Sequence, residues 1–130
     1  MNKNHRSVAV RVAASEELSS IMTVIDSALL ATDATTVRAQ IHTQDVLVAV
    51  ADGSILGVVV LDENHIDAIA VRRRQRGNGI GTTLIEAASE HCGPLTANFR
   101  PSVSPFYESL GFEIEQTSET RWEGFRPAVR

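Results

Sequence analysis

Three apolar runs in close succession at the centre of this chain constrain its fold more than any other feature. The runs cover residues 45–50, 55–61 and 65–71, and short polar turns separate them. The first turn contains Asp52-Gly53, a pair that favours a tight hairpin because both residues tolerate a positive φ. Runs joined by such short turns pair antiparallel. The sequence therefore predicts a meander of three neighbouring strands.

Before this meander, the sequence predicts one strand and two helices. Residues 7–13 alternate as a strand does, and Ser15 with two glutamates after it is typical of a helix N-cap. The helix that follows carries one apolar stripe, which predicts that it packs on a core: Leu18, Ile21, Met22, Ile25 and Leu29. A second, shorter helix is predicted over residues 35–41, with Asp33 as its cap.

After the meander, the chain alternates between helix and strand. A helix over residues 79–91 stops at Gly93-Pro94, and it is followed by a strand at 95–99, a short helix at 102–110 and strands at 112–116 and 120–125. The long helix connects strand 65–71 to strand 95–99 as a crossover, which makes these two strands parallel. The predicted fold class is mixed α/β (α+β), with about seven mostly antiparallel strands and about four helices.

Composition excludes several classes of function. The chain has 130 residues, so we expect residues 1–130 to form a single domain. A net charge of −4 argues against nucleic-acid binding, and no apolar run is long enough to cross a bilayer. No secretion signal is found near the start, so we expect a cytoplasmic protein without membrane contact. The lone Cys92 excludes an internal disulfide and a cysteine-based zinc site, so no metal is expected.

The stretch most informative about function joins strand 65–71 to helix 79–91. It includes four arginines and three glycines: Arg72, Arg73, Arg74, Arg76, Gly77, Gly79 and Gly81. Glycines let backbone N–H groups converge on one point, and the positive end of the next helix faces the same place. Arginine adds bidentate hydrogen bonds to phosphate oxygens. This turn therefore predicts a phosphate site.

Two common phosphate motifs do not fit this turn. A Walker loop would end in Gly-Lys-Ser or Gly-Lys-Thr, and a dinucleotide fingerprint would need a glycine where Thr82 stands. ATP, GTP and NAD are therefore disfavoured. What remains is Arg76, two residues, Gly79, one residue and Gly81, which resembles the acyl-CoA signature of the GCN5-related N-acetyltransferases (GNATs). A second hallmark of that family, an aromatic-Tyr-Glu-x-Leu-Gly-Phe run, matches residues 106–112.

The GNAT resemblance implies a fold, a co-substrate and a set of contacts. The fold would be the mixed GNAT sheet, and the co-substrate would be acetyl-CoA. Backbone groups of Ile69, Ala70 and Val71 would bind the pantetheine arm. The pyrophosphate would lie against the turn and the start of the helix: Arg76, Gly77, Asn78, Gly79, Ile80, Gly81 and Thr82. Residues 72–74 would steer the anionic co-substrate, grip its ribose phosphate or simply remain solvated.

The same resemblance suggests catalytic roles. Tyr107 would lie near the thioester sulfur, where a phenol can protonate the departing thiolate, although packing alone would also explain a buried ring. Many relatives carry an asparagine seven residues before this tyrosine. That position is Arg100 here, so the nearby Asn98 is the candidate for a co-substrate contact.

A base must remove a proton from the attacking amine, and strand 65–71 offers two candidates. Alternation predicts that His65 and Asp67 share the face that lines the cofactor cleft. The members of that face are His65, Asp67, Ile69 and Val71, and those of the other face are Ile66, Ala68 and Ala70. His65 could act directly, and Asp67 could act through water or bind a cationic substrate. Structural roles for both, or deprotonation by bulk water, stay open.

The leading interpretation is an N-acetyltransferase that passes an acetyl group directly to a small-molecule or peptide amine. Residues 31–44, where relatives often build the acceptor wall, are compact, so the acceptor pocket is either open or shared within a homodimer. Two alternatives remain. The chain could be a non-catalytic acyl-CoA sensor, or a nucleotide-binding domain that uses the same glycine turn.

Overall fold

The computed structural model of the protein describes residues 8–27 and 32–128. Along the chain the elements are β1 Ala9–Val12, α1 Leu18–Ser27, α2 Ala34–His42, β2 Val46–Ala51, β3 Ser54–Asp62, β4 His65–Val71, α3 Ile80–Cys92, β5 Leu95–Phe99, α4 Ser104–Ser109, β6 Glu113–Glu115 and β7 Trp122–Arg126. Single 3₁₀ turns precede α1, α3 and α4 at Ser15–Glu17, Arg73–Gln75 and Pro101–Val103. The predicted strands and helices are therefore present. Ser7 and Leu29, which two of the predictions included, lie outside the described residues.

The strands form one sheet in the order β1-β2-β3-β4-β5-β7-β6. Neighbours pair antiparallel, except β4 and β5, which are parallel. The turn between β2 and β3 has a φ of 55° at Asp52 and 77° at Gly53, as a two-residue hairpin requires. The predicted fold class is confirmed, including the parallel pair.

Helices cover both faces of the sheet, and an apolar cluster lies under each pair of helices. On one face, α1 and α2 bury residues such as Ile25 and Val37 against the strands. On the other face, α3 and α4 bury residues such as Leu84 and Tyr107. Because both faces of the central strands are covered, β3 is buried without interruption over residues 55–61. None of the helices among residues 8–27 and 32–128 is long and apolar enough to cross a membrane.

The start of the first helix differs from the sequence prediction. The N-cap is Ala14 rather than Ser15, and the Glu17 carboxylate accepts the Ala14 N–H at 2.9 Å. Glu17 also accepts two hydrogen bonds from Arg11, at 2.9 and 2.7 Å. The Arg11 bonds and then the Ala14 bond outweigh desolvation and lower the pKa of Glu17 to about 2. Asp33 is confirmed as the cap of α2, where its Oδ1 accepts the Thr36 N–H at 2.8 Å.

A β-bulge interrupts β4 at Asp67. Val60 of β3 pairs with Ala68, and the next residue, Leu61, pairs with Ile66. Two steps along β4 therefore correspond to one step along β3, and Asp67 has no partner in the β3 ladder. An extra residue of this kind bends its strand and breaks the regular alternation of side chains.

The bulge corrects the predicted faces of β4. Ile66 packs in the cluster under α3 and α4, whereas Ala68 and Ala70 pack in the cluster under α1 and α2. The predicted grouping of these three residues on one face was therefore wrong. His65 alternates with Ile66, so it lies on the face opposite to Ile69 and Val71, which contact the α3–α4 cluster. The prediction that side chains of β4 alternate strictly between the two faces of the sheet fails because it assumes a β3–β4 ladder without a bulge.

Candidate active site

The parallel strands β4 and β5 separate soon after they begin. Their ladder consists of two pairs, His65 with Thr96 and Ile66 with Ala97. Beyond these pairs β4 is paired only with β3, so its edge toward β5 presents backbone groups that no strand uses. This edge includes residues 69–71, whose backbone was predicted to bind pantetheine. An extended ligand with amide groups can add to such an edge as a further strand would.

The glycine-rich turn lies at the carboxyl end of β4 and leads into α3. Gly77 and Gly79 have φ values of 84° and 80°, and a Cβ at either position would meet nothing within 4 Å. The first hydrogen bond of α3 runs from the Thr83 N–H to the Gly79 carbonyl at 3.0 Å. The N–H groups of residues 80–82 therefore have no partner within the helix, and they lie at its positive end. Open space beside free amides suits the pyrophosphate of a CoA ester.

The arginines around this turn have different contacts. Arg72 joins the turn to β3, since its backbone N–H donates to Leu56 and its Nε donates to the Ile55 carbonyl at 2.7 Å. Arg76, the first residue of the signature, is exposed, and its Nε donates to the Val71 carbonyl at 3.0 Å. This bond folds the Arg76 side chain over the turn and occupies one acceptor of the free β4 edge. Arg72 thus links the turn to β3, whereas the exposed Arg76 side chain lies over the turn.

Tyr107 lies on α4 within an aromatic cluster. Its ring stacks on Phe99 with centroids 4.3 Å apart, and it meets Phe106 and Phe112 edge-on at 5.1 Å. Tyr107 is 6% exposed. Burial raises the pKa of Tyr107 to about 12, against a smaller opposing effect of the Arg121 charge. Among the described residues none hydrogen-bonds the Tyr107 hydroxyl, so the phenol is a protonated donor whose proton is not engaged by the protein.

A cavity of about 340 Å³ lies against the paired ends of β4 and β5. Its lining residues come from four strands: His65, Thr96, Ala97, Asn98, Glu113, Glu115, Glu123, Gly124 and Phe125. His65 is fixed there, with its Nδ1 2.8 Å from the Thr96 hydroxyl oxygen. Three glutamates and no lysine or arginine line the cavity, which gives it a negative potential.

The other two polar candidates lie in different places. Asp67 is exposed on the bulge and does not line the cavity. Desolvation, and then the charge of Asp62, raise the pKa of Asp67, while His65 opposes this shift. Asn98 does line the cavity, and its backbone carbonyl accepts a hydrogen bond from Arg121 at 3.4 Å. His65 and Asn98 therefore line the same cavity, whereas Asp67 on the bulge is not part of its lining.

Sequence reasoning missed the residues that β6 and β7 contribute to this cavity. The signal was present in part, because Glu113 and Glu115 alternate along a predicted strand. The sequence did not reveal the order of the strands in the sheet. β7 lies between β5 and β6, and this order brings Glu123 into the lining of the same cavity. Arg121, which lies close enough to Tyr107 to affect its pKa, carried no sequence signal.

The structure is similar to several solved acetyltransferases at low sequence identity. It superposes on Ard1 from Thermoplasma volcanium with a TM-score of 0.78 at 17% identity, covering 95% of this chain and 99% of that one. For the diaminobutyrate acetyltransferase EctA from Paenibacillus lautus the TM-score is 0.73 at 12% identity, covering 95% and 96%. For N-acetylglutamate synthase from Neisseria gonorrhoeae the TM-score is 0.82 at 15% identity, and the match covers 97% of this chain but 36% of that longer one.

At these identities the structural likeness establishes the fold alone. No curated protein sequence matches the chain. The family model described as acetyltransferase (GNAT) domain, however, matches residues 11–127, which include β4, the glycine-rich turn and the Tyr107 helix. The chain therefore belongs to the GNAT acetyltransferase family.

Proposed function

We propose that the protein is a cytoplasmic N-acetyltransferase that uses acetyl-CoA and transfers the acetyl group directly to an amine. The observation that carries this proposal is the gap between β4 and β5 beyond the Ile66–Ala97 pair. The free amides of residues 80–82 lie at the carboxyl end of β4, Tyr107 lies on one face of the sheet, and the His65 cavity lies on the other. The thioester of an acetyl-CoA molecule bound in this gap would be accessible from both faces of the sheet.

The residues around the gap supply the chemistry that direct transfer needs. Bound acetyl-CoA would provide an activated carbonyl carbon. The amine nitrogen forms a bond to this carbon, the carbon–sulfur bond breaks, and Tyr107 donates its hydroxyl proton to the sulfur. The proton lost by the amine goes to His65, to Asp67 or to bulk water. Unpaired N–H groups on the β4 edge are suited to stabilise the oxyanion.

Direct transfer is favoured over a covalent acyl-enzyme because the one thiol of the chain is badly placed. Cys92 ends α3, and a helix of 13 residues puts it roughly 18 Å from the phosphate-binding turn at 1.5 Å per residue. Its Sγ donates to the Ala88 carbonyl at 3.3 Å, and desolvation raises its pKa. A half-buried thiol of this kind is a weak nucleophile at neutral pH.

The acceptor is proposed to be a cationic amine, either a small molecule or a peptide. The glutamates of the cavity support this, because they would attract an ammonium group and hold it beside His65. Among the structural neighbours, the diaminobutyrate acetyltransferase was solved with L-2,4-diaminobutyric acid and coenzyme A. An acceptor of that chemistry is compatible with an acidic pocket.

A turnover screen tests this function. The full chain is incubated with acetyl-CoA and a panel of diamines, amino acids, peptide N-termini and aminoglycosides, and free thiol is measured. We expect acceptor-dependent thiol release with at least one cationic amine. Tyr107→Phe should lower kcat by roughly 10²-fold while the Kd for CoA stays nearly constant. Binding of CoA without turnover of any amine would favour the sensor, and no calorimetric heat with CoA would reject both.

A matched pair of variants tests whether His65 or Asp67 is the base. His65→Gln and Asp67→Asn each remove a titrating group while keeping side-chain size. If one of them is the base, its loss should remove the acidic limb of the kcat/KM pH profile, and the other variant should keep that limb. If both profiles match that of the unmodified protein, bulk water accepts the proton.

A further inference from the structure

The third glycine of the turn, Gly81, has different surroundings from the first two. Gly77 and Gly79 face open space, whereas a Cβ at Gly81 would lie 3.1 Å from Cε1 and 3.2 Å from Cζ of Phe106. Gly81 is the second residue of α3 and does not have a positive φ. A side chain at this position is therefore opposed by the Phe106 ring and not by the backbone conformation.

Phe106 connects the first turn of α3 to Tyr107. Its ring lies on Gly81, and it meets the Tyr107 ring edge-on with centroids 5.1 Å apart. Both aromatic residues belong to α4, which is 6 residues long. A helix this short has little stability of its own, so its position depends on its contacts with neighbouring elements.

We propose that Gly81 is a positioning residue for the Tyr107 hydroxyl. Without a side chain at residue 81, the Phe106 ring can rest on the first turn of α3, and this contact sets the separation between the phosphate-binding turn and Tyr107. The inference rests on the proposed function, in which one CoA ester contacts both places. Protonation of its sulfur requires the Tyr107 hydroxyl to lie within hydrogen-bonding reach while the pyrophosphate stays on the turn.

Gly81→Ala tests the proposal with one added methyl group. The Phe106 ring must then move by a few tenths of an ångström. Alanine favours a helix more than glycine does, so the midpoint of thermal unfolding should stay unchanged or rise. The added methyl group faces the Phe106 ring and the backbone amides stay in place, so the Kd for CoA measured by calorimetry should change less than turnover does. Turnover of acetyl-CoA with the best amine from the screen should fall about threefold to tenfold.

A spectroscopic measurement reports on the contact without any acceptor. Tyr107 is the only tyrosine of the chain, so fluorotyrosine labelling gives a single ¹⁹F NMR signal. Gly81→Ala should shift this signal, whereas Glu90→Gln, at an exposed position in the last turn of α3, should leave it in place. In a Phe106→Leu background, the added Gly81→Ala change should alter neither the signal nor the turnover.

The outcomes distinguish this proposal from the proposed function. An unchanged signal and unchanged turnover in Gly81→Ala would overturn the positioning role. Equal effects of Gly81→Ala with and without the Phe106 ring would overturn it as well, because the ring would then not be the mediator. If Tyr107→Phe retains full turnover, the acid role fails, and the NMR comparison still decides whether Gly81 positions Tyr107.

Discussion

Ionisation of Tyr107 should destabilise the folded protein at high pH by an amount that follows from its burial. Burial raises the pKa of Tyr107 from 10.0 to about 12 in the folded state, while the unfolded chain keeps the ordinary value. Below pH 10 both states hold the proton, and no stability is lost. Between pH 10 and 12 only the unfolded state releases it, so the free energy of unfolding falls as pH rises.

The size of the effect is set by the shift in pKa. A rise in pKa from 10.0 to about 12 corresponds to roughly 3 kcal/mol, since each pKa unit is worth 1.36 kcal/mol. Roughly half of this should be lost by pH 11. These values are large beside the total stability of a small domain, which is on the order of 5–15 kcal/mol.

The presence of one tyrosine makes the measurement direct. The ultraviolet absorbance of tyrosinate, followed during alkaline titration of the folded protein, should give a midpoint near 12. Denaturant unfolding of the unmodified protein and Tyr107→Phe at several pH values should show a stability difference that declines between pH 10 and 12. Comparing the two proteins cancels the titration of Cys92, whose pKa is also raised by burial. A midpoint near 10 would refute the proposed effect of burial on the pKa of Tyr107 and the pH dependence of stability that follows from it.

Three further predictions concern the turn and the helix caps. Gly79→Val should raise the Kd for CoA at least about tenfold by calorimetry, because it strains a backbone with a φ of 80° and fills phosphate space; an unchanged Kd would contradict the pyrophosphate site. Asp33→Ala should lower the free energy of unfolding by removing the α2 cap, whereas Asp33→Asn should restore most of the loss, as measured by denaturant unfolding. Glu17→Gln should be less stable than the unmodified protein above pH 4.5, and the difference should vanish as pH falls toward 2, since the pKa of Glu17 is lowered to about 2; a pH-independent difference would count against this pairing.

The fold could be predicted from the sequence where local signals were strong. The bounds of β4 and β5 matched the predictions of 65–71 and 95–99, because Asn64, Gly93 and Pro94 mark their starts. The glycine-rich turn was equally local, since its glycines act through their own φ values. Contacts within a few residues determine such features, and the sequence displays those residues side by side.

The features that the sequence did not predict depend on contacts between residues that no single local pattern brings together. The bulge at Asp67 arises from the register between β3 and β4, which no pattern within β4 reveals. Ala14 serves as the N-cap without a side-chain oxygen, and the Glu17 carboxylate accepts a hydrogen bond from the Ala14 N–H. The acidic cavity requires β7 to lie between β5 and β6, an arrangement that the order of strands along the chain does not disclose.

The strand order also has a consequence for the order in which the parts of the chain fold. β7 pairs with β5 on one side and with β6 on the other, although β6 precedes it in the chain. β6 therefore cannot join the sheet before β7 has docked, whereas the meander, the glycine turn and α3 are contiguous in sequence and can form together. Until that docking, β5 has an open edge able to pair with another chain. We expect folding intermediates of this protein to form the meander, the glycine-rich turn and α3 first, and to aggregate through β5 when β7 is weakened.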